Sequence, residues 1–211
     1  MYSIKQLPDR IFGLAFRPSI EPEHSDDVDF LGEFFRPVPR EFSPANQEIL
    51  RKYLAGTSNL RCIVEIGVQR NPLPESSTGI LLAHKPATAV YIGVDIEDKS
   101  HLADPARGIF TLQMNSLELS RVVEQMREVG LREIDFLFID GWHSVNQCVA
   151  DWGYTELLSP AGTVVLHDTN VHPGPVAVFE AIDDKLFEKT KHCTEDNDWG
   201  IATAVRRNRP A

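Results

Sequence analysis

Five short apolar runs recur along the chain, and each one ends in, or is followed directly by, glycine or acidic or polar residues. They cover residues 62–67, 89–95, 109–114, 134–140 and 162–168. Helical patterns lie between or after them at 77–84, 117–129, 145–158 and 176–189, following a first helix that starts at Ser43-Pro44. Parallel strands need crossover connections of this length, and such crossovers are right-handed. The pattern therefore predicts an α/β, doubly wound and mostly parallel sheet with helices on both faces.

The two ends of the chain depart from this alternation. Residues 201–205 follow a polar turn at 195–198, which predicts a closing hairpin with an antiparallel last strand. Residues 1–42 are rich in phenylalanine and proline and carry the acidic stretch 21–27, which is unfavourable for long regular elements. We therefore divide the chain into an N-terminal arm (1–42) and a main domain (43–211). The arm either packs on the main domain or serves as a lid or dimer-forming segment, and the last alternative predicts a homodimer.

Composition excludes several classes of function. The 21 basic residues against 31 acidic ones give a net charge of −10, which argues against a nucleic-acid partner. No apolar run approaches the roughly 20 residues that cross a bilayer, and the N-terminus lacks the apolar segment of a secretory signal. The three cysteines are far apart and odd in number, which is typical of a reduced protein. We predict a cytoplasmic protein without a membrane segment that acts on a small molecule.

The carboxyl ends of the predicted strands are where an open α/β sheet binds its ligands. Asp95 ends the second strand, in the position where such folds place a carboxylate on ribose hydroxyls. No Gly-x-Gly-x-x-Gly is present, which argues against a dinucleotide pyrophosphate. A ligand with a ribose and no pyrophosphate fits these observations, and S-adenosylmethionine is such a ligand.

Asp140 and Asp168 end the fourth and fifth strands, and His143 and His167 lie beside them. Two carboxylates with an imidazole form a donor set for a hard divalent cation such as magnesium. His143 is a candidate general base, because the ordinary pKa of histidine lies near neutral pH. The alternatives are a turn role for Asp168 and a packed or helix-capping imidazole for His143. We interpret His172 as a surface or structural residue.

Four segments together resemble the class I S-adenosylmethionine-dependent methyltransferases, in the branch of macrolide sugar O-methyltransferases and cephalosporin-hydroxylase-like proteins. They are Glu65-Ile66-Gly67-Val68-Gln69-Arg70, Gly93-Val94-Asp95-Ile96, Ile139-Asp140-Gly141-Trp142-His143-Ser144 and 160–169. The resemblance spans about residues 45–206 and implies seven strands, the last of them antiparallel.

The resemblance also implies a role for each matching residue. It places Glu65, Gly67 and Val68 beside the methionine part of S-adenosylmethionine, Asp95 and Ile96 at its ribose, and Asn115 and Ser116 by its adenine. It places Asp140 at the cofactor as well, and it places Asp140 and Asp168 in the positions that hold magnesium in metal-dependent members. His167 stands where some of those members have a third acidic ligand. His143 corresponds to a frequent base. One departure is the insertion at 70–76, which replaces the glycine-rich turn after Gly67.

These observations lead to three hypotheses. The first is an O-methyltransferase acting on a small hydroxylated molecule such as a sugar, polyketide or phenol, with Asp140 and His143 as its catalytic residues. The second, motivated by the insertion at 70–76, is a cofactor-binding protein of the same fold that has lost catalysis and serves a partner. The third, more remote hypothesis is a nucleotide-dependent oxidoreductase.

Overall fold

A seven-stranded sheet forms the centre of the chain. The computed structural model describes residues 42–68, 76–195 and 198–207. The strands are β1 (Cys62–Ile66), β2 (Val90–Asp95), β3 (Ile109–Gln113), β4 (Ile134–Ile139), β5 (Leu158–His167), β6 (Phe187–His192) and β7 (Ile201–Arg206). Their order across the sheet is β3-β2-β1-β4-β5-β7-β6.

The direction of the strands confirms the predicted fold. Strands β1 to β5 pair in parallel, while β7 runs antiparallel to both β5 and β6. The strand order reverses between β1 and β4, so a topological switch point lies at their carboxyl ends. The predicted ligand edge is therefore the edge at which Asp95 ends β2 and at which Gly67, Asp140 and Asp168 follow their strands.

Five helices cover the two faces of the sheet. They are α1 (Pro44–Gly56), α2 (Ser77–His84), α3 (Leu119–Glu128), α4 (Val145–Trp152) and α5 (Pro173–Ala181). Buried residues of α1 and α2 pack on one face, and those of α3, α4 and α5 pack on the other. Successive residues of a strand point to opposite faces, so β1 and β4 are buried throughout their length and are apolar except at Glu65 and Asp135. Ser43 starts α1, where its hydroxyl accepts a hydrogen bond from the Asn46 backbone N–H.

The helix predicted at 176–189 was too long. It ends at Ala181, and residues 187–192 form β6 instead. Phe187 is fully buried while the next residue, Glu188, is exposed, and the segment pairs with β7 along its whole length. The Lys189 ammonium donates to the carbonyls of Phe179, Glu180 and Ile182, which satisfies the end of α5. Pairing with the strand that follows overrides the local helical pattern here.

Several predictions concern residues outside the described ranges. Residues 1–41 of the arm and residues 70–75 of the insertion lie there, so the arm, the lid and the homodimer remain predictions. Phe42, the last arm residue, is buried and packs against Phe138 and His167, with ring centroids 6.1 Å and 5.0 Å away. No helix within the described ranges is long and apolar enough to cross a membrane. The three cysteines are free thiols.

Candidate active site

Gly67 allows the loops after β1 and β4 to approach each other at the switch point. Its φ is +83°, and a Cβ on it would lie 1.9 Å from the backbone oxygen of Asp140. The Gly67 N–H donates to the Val94 carbonyl (2.9 Å), and the Asp140 N–H donates to the Ile66 carbonyl (2.8 Å). Only glycine combines this backbone conformation with so close a contact. The predicted site residue Gly67 therefore shapes the crevice through its backbone.

Asp95 joins the loops that follow β1 and β2. Its Oδ2 accepts a hydrogen bond from the Val68 N–H (2.7 Å), and its Oδ1 accepts one from the Glu97 N–H (2.8 Å). The next residue, Ile96, is 66% exposed, and Leu117 after β3 is 60% exposed. A half-buried carboxylate beside two exposed apolar side chains at the ligand edge suits a ribose and a flat apolar ring. The structure therefore places Val68, Asp95 and Ile96 together.

Glu65 lies beneath this edge and is fully buried. Its carboxylate accepts hydrogen bonds from the hydroxyls of Ser77 (2.6 Å), Thr78 (2.8 Å) and Tyr91. Burial raises the pKa of Glu65 to about 7, although the three hydroxyl hydrogen bonds oppose the rise. In this arrangement Glu65 anchors the N-terminus of α2 to β1 and β2. A direct contact between Glu65 and a cofactor stays a prediction.

Ser116 belongs to a polar network behind the loops after β3 and β4. Its hydroxyl donates to Asp151 Oδ1 (2.7 Å), and the Gln147 amide donates to both Ser116 Oγ (2.7 Å) and Asp151 Oδ1 (3.0 Å). Burial raises the pKa of Asp151 to about 6. The neighbouring Asn115 accepts a hydrogen bond from the Leu117 N–H through its side chain (3.0 Å). Asn115 and Ser116 thus hold the loop that carries Leu117.

Four residues form what we call the His–Asp cluster: Asp140, His143, His167 and Asp168. The Asp168 carboxylate contacts both rings, with Oδ2 2.8 Å from His143 Nε2 and Oδ1 3.0 Å from His167 Nδ1. Asp140 Oδ1 lies 3.2 Å from His167 Nδ1 and 3.8 Å from His143 Nε2. His143 Nε2 has no well-aligned hydrogen bond to the described residues, so its contact with Asp168 is an ion pair. The structure therefore joins all four residues predicted from the ends of β4 and β5.

Charge within the His–Asp cluster sets its protonation. Burial disfavours charged imidazoles, but the carboxylates of Asp168 and Asp140 outweigh it, raising the pKa of His143 to about 10 and that of His167 well above its usual value. Burial also acts against ionised carboxyls, yet the two histidines hold the pKa of Asp140 and Asp168 below the usual range. In the absence of a bound cation, His143 is thus an imidazolium at neutral pH and does not act as a base.

The backbone at Asp168 is held in an unusual conformation. Its φ is +60°, in the left-handed region that costs a non-glycine residue about 1–2 kcal/mol. The following Asn170 ties the loop down, because its side-chain amide donates to the carbonyls of Cys193 (2.7 Å) and Asp198 (2.9 Å). The Asn170 N–H also donates to the Trp199 carbonyl (2.8 Å). Surrounding contacts therefore maintain the strained turn that aims Asp168 at both histidines.

Two residues of the site were missed at the sequence level. His172 is buried, and its ring stacks between those of His143 (4.1 Å) and Trp199 (5.2 Å), so it supports the proposed base from behind. Asn46 is fully buried in α1, and its side-chain amide nitrogen lies 3.2 Å from His167 Nε2. No local motif marks either residue, because both contacts join distant parts of the chain.

The donors of the His–Asp cluster fit a small divalent cation. Asp140, His167 and Asp168 each offer one atom, and these atoms all lie within 4.8 Å of one another. Neighbouring ligands of an octahedral ion with bonds of about 2.1 Å are about 3.0 Å apart. The two distances from His167 Nδ1, 3.0 Å and 3.2 Å, are close to that value. The imidazole departs from the all-oxygen set that magnesium prefers.

Comparison with known proteins gives structural likeness only. No protein-family model matches the sequence, and no curated protein matches it either. Solved structures do match. The MycE methyltransferase from the mycinamycin biosynthetic pathway, solved in complex with Mg, SAH and mycinamycin VI, aligns with a TM-score of 0.56 and 17% identity. The alignment covers 86% of this chain and 54% of MycE, so the chain spans about half the length of that enzyme.

Two other solved structures match over nearly their whole length. An O-methyltransferase from Bacillus cereus in complex with SAH has a TM-score of 0.56 at 15% identity, covering 94% of this chain and 96% of its own. The O-methyltransferase TomG from Streptomyces achromogenes, in complex with SAM, has a TM-score of 0.55 at 15% identity, with 93% and 95% covered. The fold is that of class I S-adenosylmethionine-dependent methyltransferases, as the motifs predicted.

Proposed function

We propose that this protein is an S-adenosylmethionine-dependent O-methyltransferase that acts on a small hydroxylated molecule. The observation that carries the proposal is the arrangement around Gly67. On one side lie the Asp95 carboxylate and the exposed Ile96, and on the other lies the His–Asp cluster. A cofactor site and a proton-transfer site thus meet at one switch point. The fold is shared with O-methyltransferases that were solved with SAM or SAH.

The cofactor would be held mainly by the loops after β1, β2 and β3. Asp95 would accept hydrogen bonds from the ribose hydroxyls, with its carboxylate already oriented by the Val68 and Glu97 N–H groups. Ile96 and Leu117 would cover the faces of the adenine, which accounts for two large apolar side chains left exposed. Bound there, S-adenosylmethionine would supply an electrophilic methyl group on a sulfonium. Acidic residues at the crevice favour such a cation.

The acceptor hydroxyl would lie at the His–Asp cluster. Asp140, His167 and Asp168 would hold a divalent cation, whose charge lowers the pKa of a hydroxyl bound to it and offsets the carboxylates that keep His143 protonated. His143 would then take the proton of the acceptor at Nε2, the ring atom that faces Asp140 and Asp168. His172 and Trp199 would keep the His143 ring in place by stacking. Positioning of donor and acceptor would contribute most of the acceleration.

A small sugar, polyketide or phenol remains the substrate class that we propose. MycE was solved with mycinamycin VI and magnesium, and a further match is to CalS11, a TDP-rhamnose 3'-O-methyltransferase aligning at a TM-score of 0.55 and 14% identity. The net charge of −10 is unfavourable for a nucleic-acid substrate. We expect residues 1–42 and 170–175 to contribute to the acceptor pocket, since binding residues concentrate on loops.

Titration calorimetry with S-adenosylmethionine, S-adenosylhomocysteine and NAD tests the cofactor. We expect heat with both sulfur compounds and none with NAD; the reverse result would favour the oxidoreductase. A screen of hydroxylated acceptors, read out as S-adenosylhomocysteine formation, tests the reaction. Asp140→Ala should abolish turnover, while Glu133→Gln, an exposed site before β4, should leave it unchanged. Binding without turnover on any acceptor would favour the inactive partner protein.

A further inference from the structure

Asn46 connects the first helix of the domain to the His–Asp cluster. It lies in the first turn of α1, where its backbone N–H donates to the capping hydroxyl of Ser43 (3.2 Å). Its side chain is fully buried, and the amide nitrogen lies 3.2 Å from His167 Nε2, a contact that spans 121 residues of sequence. Asn46 thus faces the side of His167 that points away from Asp140 and Asp168.

One atom of this pair lacks a partner. Among the described residues, none forms a hydrogen bond with Asn46 Oδ1, although this oxygen is buried. Leaving a buried acceptor unpaired costs about 1–3 kcal/mol. The oxygen and nitrogen of an amide exchange places by a half turn of the same side chain. In the exchanged orientation Asn46 Oδ1 accepts a hydrogen bond from His167 Nε2–H, and the unpaired oxygen gains its partner.

This orientation has a consequence for the other ring nitrogen. In a neutral imidazole one nitrogen carries the proton and the other a lone pair. A proton held at Nε2 leaves the lone pair on Nδ1, which lies 3.2 Å from Asp140 Oδ1 and 3.0 Å from Asp168 Oδ1. A histidine that binds a metal through one ring nitrogen almost always donates the N–H of the other nitrogen to a carboxylate, a carbonyl oxygen or water. The Asn46 amide therefore has the position of an outer partner of a metal-bound histidine.

We propose that Asn46 is a positioning residue for a metal centre made by Asp140, His167 and Asp168, and that this centre prefers a borderline transition ion such as Co²⁺ over Mg²⁺. The inference deepens the proposed function by naming the kind of ion at its acceptor site. Imidazole is a good ligand for borderline transition ions, whereas magnesium favours carboxylate, carbonyl and water oxygen. One imidazole within a set otherwise made of carboxylates therefore shifts the metal preference from magnesium toward a transition ion.

A second donor set overlaps the first but is less suitable. His143, Asp168 and His172 also offer three atoms within 4.8 Å. The rings of His143 and His172 are stacked, with centroids 4.1 Å apart and an angle of 24° between the planes. Lone pairs lie in the plane of an imidazole, so two nearly parallel rings direct them side by side rather than toward one point. His167 is therefore the histidine expected to bind the ion.

Metal titration of the full-length protein tests the inference without substrate or cofactor. The protein is stripped with a chelator, and the dissociation constants of Co²⁺ and Mg²⁺ are measured by calorimetry. Pulsed EPR of bound Mn²⁺ then detects coordinated nitrogen directly. The variants are His167→Asp, His172→Ala, Asn46→Ala and Asn46→Asp, and the control is Glu48→Ala on the exposed side of α1. Circular dichroism checks that each variant is folded.

We expect Co²⁺ to bind the native protein at least 100-fold more tightly than Mg²⁺. His167→Asp should reduce that ratio at least tenfold and remove the nitrogen signal, while His172→Ala and Glu48→Ala keep both. Asn46→Ala should weaken Co²⁺ binding about 10- to 100-fold, the usual effect of losing such a partner. Asn46→Asp retains an acceptor oxygen and should bind Co²⁺ at least as tightly as the native protein.

Several outcomes would overturn the inference. For the native protein, these are an absence of Co²⁺ binding at millimolar concentration, or a nitrogen signal that depends on His172 instead of His167. For the variants, they are an unchanged ratio of Co²⁺ to Mg²⁺ affinity in His167→Asp, native Co²⁺ affinity in Asn46→Ala, or weakened Co²⁺ binding in Asn46→Asp. If Asn46→Ala does not fold, the Co²⁺ affinities of Asn46→Asp and His167→Asp still test the inference. A failure of S-adenosylmethionine binding would refute the proposed function alone, since the metal titration contains no cofactor.

Discussion

The Asp168 carboxylate lies 2.8 Å from Nε2 of His143, and both side chains are about nine-tenths buried. The two residues come from the loops after β5 and β4, which the parallel sheet brings side by side. A buried ion pair of this kind is costly to break, because removing one partner leaves an unpaired charge. The pair therefore couples the stability of the fold to the protonation of the proposed base.

His143 should make stability depend on pH in the metal-free protein. Its pKa is raised from 6.5 to about 10 in the folded state, so its contribution is complete below pH 6.5 and disappears as the pH rises through 10. We expect the difference in unfolding free energy between the native protein and His143→Gln to shrink across that interval. Urea unfolding at pH 6, 8 and 10 with a chelator measures it. His84→Gln, at an exposed histidine of α2, serves as the control.

Glu65 should produce a different dependence at lower pH. Its pKa is raised from 4.5 to about 7, so between these values the folded state holds a proton that the unfolded state has lost. Stability therefore falls as the pH rises from 4.5 to 7. Glu65→Gln is neutral throughout, and we expect it to remove this decline in urea unfolding relative to native protein. A native profile in Glu65→Gln would mean that Glu65 is not the titrating group; Glu133→Gln serves as control.

Asp95 should govern affinity for the cofactor with little effect on the acceptor site. Asp95→Ala removes the acceptor for the ribose and the two backbone hydrogen bonds that orient the loops. We expect binding of S-adenosylhomocysteine to weaken at least tenfold in calorimetry, about 1.4 kcal/mol. Asp98→Ala, an exposed aspartate on the same loop, should bind as the native protein does. Equal affinities in the two variants would place the ribose elsewhere.

Alanine substitutions at Gly67 and Gly130 distinguish the cost in stability of a left-handed backbone from the cost of a close contact. Both have positive φ, +83° and +77°, but a Cβ on Gly130 would meet nothing within 4 Å. Gly130→Ala should cost about 1–2 kcal/mol, the penalty of the left-handed conformation. Gly67→Ala must in addition separate two loops that are in contact, which adds about 1–3 kcal/mol. Urea unfolding of both variants measures the difference, and similar costs would show that the contact between the loops is easily relaxed.

Much of the fold was predictable because its signals are local. Strand runs such as 134–139 are buried on both faces, and the Ser43 hydroxyl caps the helix that was predicted to start there. The segment 187–192 was mistaken for helix because it becomes a strand only by pairing with β7. Pairing with another strand is a contact beyond the segment itself, so the helical spacing of apolar residues within 176–189 does not reveal it.

The same distinction applies to the candidate site. The amino-acid sequence determined that polar side chains such as Asp95, Asp140 and Asp168 follow buried strands, and a parallel sheet places such strand ends at one edge. Only the tertiary structure decided that Asp168 bridges two histidines, that Glu65 is buried under three hydroxyls, and that Asn46 reaches His167. Those contacts depend on how helices and loops pack on the sheet. Packing joins residues that are far apart along the chain, so it arises only in the folded state.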